Sequence, residues 1–286
     1  MRLNHNMMSL GIYNNYSKKI KLQSNALSKL TTGQKLVSSK DNPNAIGQSE
    51  MLRIQIRGLD MARKNLQDSA GMIQTVDGGL ASINAVLHRI KELTIQAGGI
   101  NEEVDKIVIQ QEIEAMKQHI DYTARGTEFN GVKLLYNDKV IDNSNPTYVN
   151  TVSGANVGEK IEIPMYNLTI ENLKDSTGTY SLKELDVTKP GGVETALNII
   201  KDVTDSVISI RGKYGALQNK LESLNDAMGE TSFSISRAES SIRDTDMAEE
   251  MMNYASNGIL IESALAMIAQ SNRFPQDILR VLERMK

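Results

Sequence analysis

Residues 51–90 read MLRIQIRGLDMARKNLQDSAGMIQTVDGGLASINAVLHRI, and in that stretch an apolar side chain returns at every seventh place: Leu52, Leu59, Leu66, Ile73, Leu80 and Leu87. Ala62, Val76, Ile83 and Ile90 stand three residues beyond four of these positions. Steps of three and four lay the side chains along one face of an α-helix, and a sustained seven-residue repeat is the seam of a coiled coil. Asp41-Asn42-Pro43 supplies a start, with an Asx cap and proline in the first turn, and Gly98-Gly99 supplies a stop. At 1.5 Å per residue such a helix is on the order of 70 Å long. A globule of this chain length is only about 50 Å across, so an elongated molecule is expected.

The same period recurs elsewhere. Ile109, Ile113, Met116 and Ile120 make a shorter seam over 103–124, closing at Gly126 and followed by a turn over 126–131. Later, Ile200, Val203, Val207, Ile210, Tyr214, Leu217, Leu221, Leu224 and Met228 alternate steps of three and four, and Ile235, Ala238 and Ile242 prolong the stripe. Gly212, Gly215 and Gly229 each cost about 1 kcal/mol against alanine in a helix, and Gly229 marks the expected bend. Between the two long seams the helical period vanishes. Short β-branched runs at 148–152, 160–163 and 168–170, separated by Gly154, Asn156 and Gly158, predict hairpins.

The expected fold class is therefore mainly α: an elongated antiparallel helical bundle or coiled coil, with a small β-hairpin region and helical terminal arms. Residues 1–40 form the N-terminal arm and linker, 41–136 the first half of the rod and 137–192 the hairpin and loop region. The second half of the rod covers 193–246 and the C-terminal arm 247–286. Leu52, Leu59, Leu66, Ile73, Leu80, Leu87, Ile210, Tyr214, Leu217, Leu221 and Leu224 are the expected rod core.

Composition narrows the chemistry. The 286 residues include no cysteine and no tryptophan, three phenylalanines and five prolines. A disulfide scaffold, a thiolate metal site and a thiol nucleophile are excluded together. The net charge of −3 gives no basic field for nucleic acid, and no run of about eighteen apolar residues is present to span a bilayer. His5, His88 and His119 fall in no HxxxH or HExxH spacing, so no zinc site is expected. Asp244 and Asp246 lack a third ligand or base and are read as helix starters, while Gly78-Gly79 and Gly98-Gly99 lack the lysine and spacing of a phosphate loop. Neither an enzyme nor a cofactor is expected.

The two ends of the chain have a character of their own. From residue 1 to 40 there is no acidic residue, while Arg2, Lys18, Lys19, Lys21, Lys29, Lys35 and Lys40 are basic. Asn4, His5, Asn6 and Ser9 interrupt the apolar run that a secretory leader requires, so none is expected. Leu3, Leu10, Tyr13, Ile20 and Leu27 follow helical spacing, and Ile261, Leu265 and Ile268 do the same near the other end. There Pro275 is expected to interrupt before a short tail holding Leu279 and Leu282. Termini are usually polar and frayed, so two apolar ones imply that they bury each other or bury themselves in neighbouring subunits.

The residues themselves resemble those of bacterial flagellins. Leu30-Thr31-Thr32-Gly33-Gln34-Lys35-Leu36 running into Ser39-Lys40-Asp41-Asn42-Pro43 is similar to the N-terminal flagellin signature. Phe129-Asn130-Gly131-Val132-Lys133-Leu134-Leu135, Ala216-Leu217-Gln218-Asn219, Asp244-Thr245-Asp246-Met247-Ala248, and Ala269-Gln270-Ser271-Asn272 with Pro275-Gln276 resemble further blocks in the same order. Only residues 137–192 separate the matching halves, so large outer domains are not expected.

The resemblance implies a subunit that is exported and polymerises with copies of itself into an extracellular filament for motility. The arms, largely disordered in the free subunit, would be buried around the filament axis. It also implies an export chaperone on residues 255–286, and filament-cap and hook–filament junction proteins as partners. His88-Arg89-Ile90-Lys91-Glu92-Leu93-Thr94-Ile95-Gln96 resembles the flagellin stretch met by Toll-like receptor 5, with Arg89, Leu93, Gln96 and Glu112 at matching places. The alternatives are a hook–filament junction protein and, more remotely, a coiled-coil scaffold that is never exported.

Overall fold

A computed structural model describes residues 6–99, 103–138, 140, 143, 145–175, 178 and 180–284, the side chains of 278, 279, 281 and 282 excepted. Five helices carry the fold: α1 (Met7–Thr32), α2 (Pro43–Gly98), α3 (Glu103–Gly126), α4 (Gly192–Arg243) and α5 (Met247–Arg284). Two short antiparallel pairs accompany them, β1 (Glu128–Phe129) with β2 (Val132–Lys133), and β3 (Thr147–Val152) with β4 (Lys160–Met165). The chain makes two compact units, Arg57–Ser232 on the one hand and Met1–Ile56 with Phe233–Lys286 on the other. Residues 41–56 and 233–246, expected with the rod, thus pack in the same unit as the arms. Ser49 donates to Glu239 at 3.0 Å there, and Arg243 reaches Glu50 at 2.9 Å.

In the Arg57–Ser232 unit, paired residues recede in step along the helices. Gly98 lies by Val193, Asp77 pairs with Arg211 and Ser232 reaches toward Asp60, so α2 and α4 run antiparallel. Arg89 pairs with Glu112 and Gly71 lies by Phe129, which sets α3 antiparallel to α2. The seam residues Leu66, Ile73, Val76, Leu80, Ile83, Leu87 and Ile90 are all 1% exposed or less. They share one core with Ile109, Ile113 and Ile120 of α3, and with Val203, Val207, Ile210, Tyr214 and Leu221 of α4. Leu59 and Ala62 are buried, while Leu217 and Leu224 pack against that core half-buried. Leu52, in the other unit, is half-buried. The helix α4 runs through Gly212, Gly215 and Gly229 as one element, and Gly229 does not end it. Each glycine forgoes about 1 kcal/mol of helix propensity, less than the packing of the residues around it contributes.

The hairpin region closes over this core. β3 and β4 pair from Thr147 with Met165 to Val152 with Lys160. Strand alternation points Ile161, Ile163 and Met165 inward and Lys160 and Glu162 outward. Tyr214 donates its hydroxyl to the Pro164 carbonyl at 2.6 Å, and its ring meets Tyr166 edge-on at 5.9 Å. The run 168–170, expected as a strand, is a turn instead. The side-chain oxygen of Asn167 accepts from the backbone N–H of Thr169 at 3.3 Å, and the Thr169 carbonyl accepts from Asn172 and Leu173. An Asx side chain that satisfies the backbone locally competes with a ladder, and here the turn prevails. The Asn130-Gly131 pair, both with positive φ, closes a tight hairpin between β1 and β2. Gly79 lets that segment approach, since a Cβ there would stand 2.7 Å from Leu135 Cδ1 and 2.8 Å from Thr127 Oγ1.

Candidate assembly surface

The unit that contains the chain ends is built differently. Asn6 caps α1, its side-chain oxygen accepting from Ser9 N at 3.1 Å, and α1 ends at Gly33, whose N–H reaches the Lys29 carbonyl. The link that follows is pinned to the joint between α4 and α5. Lys35 N donates to the Arg243 carbonyl at 2.7 Å, and Thr245 N to the Gly33 carbonyl at 3.1 Å. Asp246 caps α5 by accepting from Ala248 and Glu249, as its place ahead of the apolar stripe predicts. Asn42 does the same for α2 through Ala45. Beside this joint the Arg243 guanidinium holds the Glu50 carboxyl below its ordinary range.

Helices α1 and α5 pack antiparallel along their length. Asn6 meets Ser271 at one end, Gln23 lies by Gly258 in the middle, and Lys29 pairs with Glu250 at 3.4 Å toward the other end. Both terminal arms are helices, as expected, and they pair with each other. Small side chains make the seam: Ala26 is 2% exposed and Ala264 8%. Ile261 and Ile268 are half-buried beside them. Many of the larger apolar residues lie outside. Leu10, Tyr13, Ile20, Leu27 and Leu265 are exposed, as are Met251, Leu260 and Phe274. Leu3 and the side chains of Leu279 and Leu282 lie outside the described residues. Pro275, expected to break the helix, sits inside α5, which continues to Arg284.

The four residues of the receptor-like stretch separate. Arg89, Gln96 and Glu112 are exposed, and Arg89 bridges to Glu92 at 3.2 Å and to Glu112 at 2.9 Å. Leu93 is 1% exposed and belongs to the core beneath them, which corrects its expected place on the surface. It lies three residues beyond Ile90, on the buried stripe.

Two groups escaped the reading of the sequence. Lys117 is buried, and its Nζ lies 2.6 Å from the Glu114 carboxylate and 2.9 Å from the Lys183 carbonyl, fastening the segment around the 3₁₀ turn Leu182–Glu184 to α3. Its signal was its position four residues beyond Ile113, on the apolar stripe. The second group is Asn6 with Ser271. Among the described residues there is no cluster of three or more histidine, aspartate or glutamate side chains placed to hold a metal ion, and no helix long and apolar enough to cross a membrane. His5 lies outside the described residues.

Known proteins share this plan. The family model for the bacterial flagellin N-terminal helical region matches residues 3–139, and the one for the bacterial flagellin C-terminal helical region matches residues 197–282. Flagellin of Bacillus subtilis (strain 168) is 35% identical in an alignment that covers 99% of this chain and 100% of that protein. The flagellar filament 30.7 kDa core protein of Treponema maltophilum is 34% identical over 99% of this chain and 100% of that one. A solved structure assigned to a flagellar hook-associated protein of Vibrio parahaemolyticus superposes with a TM-score of 0.60. It covers 71% of this chain and 100% of that chain at 17% identity, a likeness of fold.

Proposed function

The chain belongs to the bacterial flagellin family, and from that membership we infer that it is a structural subunit of a flagellar filament, joined to its neighbours through the outer faces of α1 and α5. The observation that carries the assignment to these faces is their inverted packing: small residues fill the seam between the two helices while Leu10, Tyr13, Ile20, Leu27 and Leu265 stay exposed. A half-exposed leucine or isoleucine covered by a neighbour contributes on the order of 1 kcal/mol, and several act together on each subunit. Contacts between unlike faces do not close on themselves, so each added subunit offers the same surface again and the assembly grows as a helix. Ile261 and Ile268, half-buried on α5, complete the apolar band.

The full-length match to relatives named as flagellin and filament core proteins favours an indefinitely growing polymer over a junction protein. Purified protein added to sheared filament seeds should elongate them without limit under the electron microscope. A protein that stops after a short collar would instead be a junction component.

The proposal extends to how the subunit reaches the filament. A chain without cysteine and rich in local helical contacts passes an export channel unfolded and refolds quickly outside the cell. Before export the apolar face of α5 requires cover, and residues 255–286 are the segment for a chaperone to wrap. Filament-cap and hook–filament junction proteins would meet the same arms at the two ends of the polymer. Toll-like receptor 5 is proposed to read Arg89, Gln96 and Glu112, with Leu93 supporting them from the core. A reporter assay that stays silent at saturating monomer would remove that reading.

A further inference from the structure

We propose that Asn6 and Pro275 form a clasp that fixes the register of α1 along α5. Proline has no N–H, so within α5 the carbonyl four residues earlier, that of Ser271, loses its helical donor. The side-chain amide of Asn6 supplies the missing donor at 3.0 Å, from the opposite end of the chain. The orientation of that amide is forced. Its oxygen faces the Ser9 N–H at 3.1 Å as the cap of α1, so its nitrogen faces Ser271. The Ser271 hydroxyl joins the same contact at 3.1 Å. One side chain therefore satisfies an orphan donor of α1 and an orphan acceptor of α5 together.

Among the described residues, the other contacts of the seam select a register less sharply. Ala26, Ala264 and Gly258 offer small, similar surfaces, and the Lys29–Glu250 pair has long, adaptable arms. A slip of one turn, about 5.4 Å, would carry the Asn6 amide to a carbonyl whose own helix supplies a donor. The clasp thus decides which apolar residues of α1 and α5 stand side by side on the outer face. For assembly this rests on the filament reading above, while for the subunit it does not.

Hydrogen exchange by mass spectrometry on the full-length chain, as monomer and as filament, tests it with Asn6→Asp, Pro275→Ala and the double variant. Aspartate keeps the cap but cannot donate, and alanine returns the N–H that Ser271 lacks. Asn6→Asp should speed exchange about fivefold in peptides over 7–16 and 268–277 together, and should leave both unchanged in the Pro275→Ala background. An equal effect in both backgrounds, or none in either, overturns the clasp. Should the native chain fail to elongate seeds, the filament reading falls, and exchange in the monomer still decides the clasp.

Discussion

The Arg57–Ser232 unit and the α1–α5 pair are written in the same alphabet of helical stripes, yet they spend their apolar residues in opposite ways. Leu66, Ile73, Leu80 and Leu87 are at most 1% exposed, whereas Leu10, Ile20 and Leu27 are 40–53% exposed. In the first unit these seam residues share one core with residues of three helices and a hairpin, so the stripe is consumed within the chain. In the second, the closest contact between the two helices is through alanine and glycine, Ile261 and Ile268 are only half-buried beside it, and Leu10, Ile20, Leu27 and Leu265 stay exposed. An amphipathic stripe alone therefore does not say where it is buried. The size of the residues in the seam says more, because small ones let two backbones approach while excluding the large ones from the contact.

Removing the arms is the most severe way to break this contrast. Deletion of residues 1–30 or 255–286 should abolish seeded elongation and leave a soluble helical monomer by circular dichroism. Filaments from either truncate would show that the arms are not the polymer contact. Next comes a matched pair of substitutions. Leu80→Ala, in the closed core, should lower the unfolding free energy by about 2–5 kcal/mol in a denaturant melt. Leu27→Ala, on the open face, should move the same melt by less than about 0.5 kcal/mol. It should instead raise the critical concentration for elongation about fivefold, the equivalent of about 1 kcal/mol per subunit. If Leu27→Ala destabilised the monomer as much as Leu80→Ala, the distinction between the two regions would disappear.

Much of this contrast was legible in the residues. The seven-residue repeat from Leu59 to Leu87 announced a buried seam, and the caps Asn42 and Asp246 marked helix starts correctly. Burial of Leu93 was also legible, since it stands three residues beyond Ile90 on the same stripe. The resemblance drew it to the surface against that spacing. What could not be read were effects carried by single polar side chains across large sequence distance. Pro275 looks like a helix breaker until Asn6 is brought to the carbonyl that the proline leaves unmet. The strand-like run 168–170 becomes a turn because Asn167 engages Thr169. The sealing of α1 against α5 by Ala26, Ala264 and Gly258 was hidden as well, because small residues carry little periodic signal.

Two further substitutions sharpen the closed side of the comparison. Lys117→Met should preserve side-chain bulk while removing the donor to the Lys183 carbonyl and one of the two donors to Glu114, Gln110 being the other. The expected cost is about 1–3 kcal/mol in the same melt. Proteolysis should correspondingly favour the segment near residues 182–187. Unchanged stability and cleavage would mean that this segment is held by Leu182 and Leu185 and by Gln110, whose side chain bonds the Leu185 carbonyl and the Val187 N–H, without help from Lys117.

The smallest effect belongs to the Asp77–Arg211 pair, which bridges α2 and α4 in a two-pronged contact at 2.6 and 3.0 Å. The Arg211 guanidinium holds the Asp77 carboxyl below its ordinary 3.8. A carboxyl with a depressed folded value contributes stability that is complete above its unfolded value and is lost as the pH falls through the folded one. The pair should therefore be at full strength at neutral pH and fade only below about pH 4. Both side chains are 43% exposed, so solvent screening limits the contribution to less than about 1 kcal/mol. Asp77→Asn should lower the melt by that amount at pH 7 and in low salt, with the difference from the native chain narrowing as the pH falls below about 4. A gap of the same size from pH 7 down through the acid range would assign the loss to packing of the asparagine, and the ion pair would then contribute nothing to holding the closed unit together.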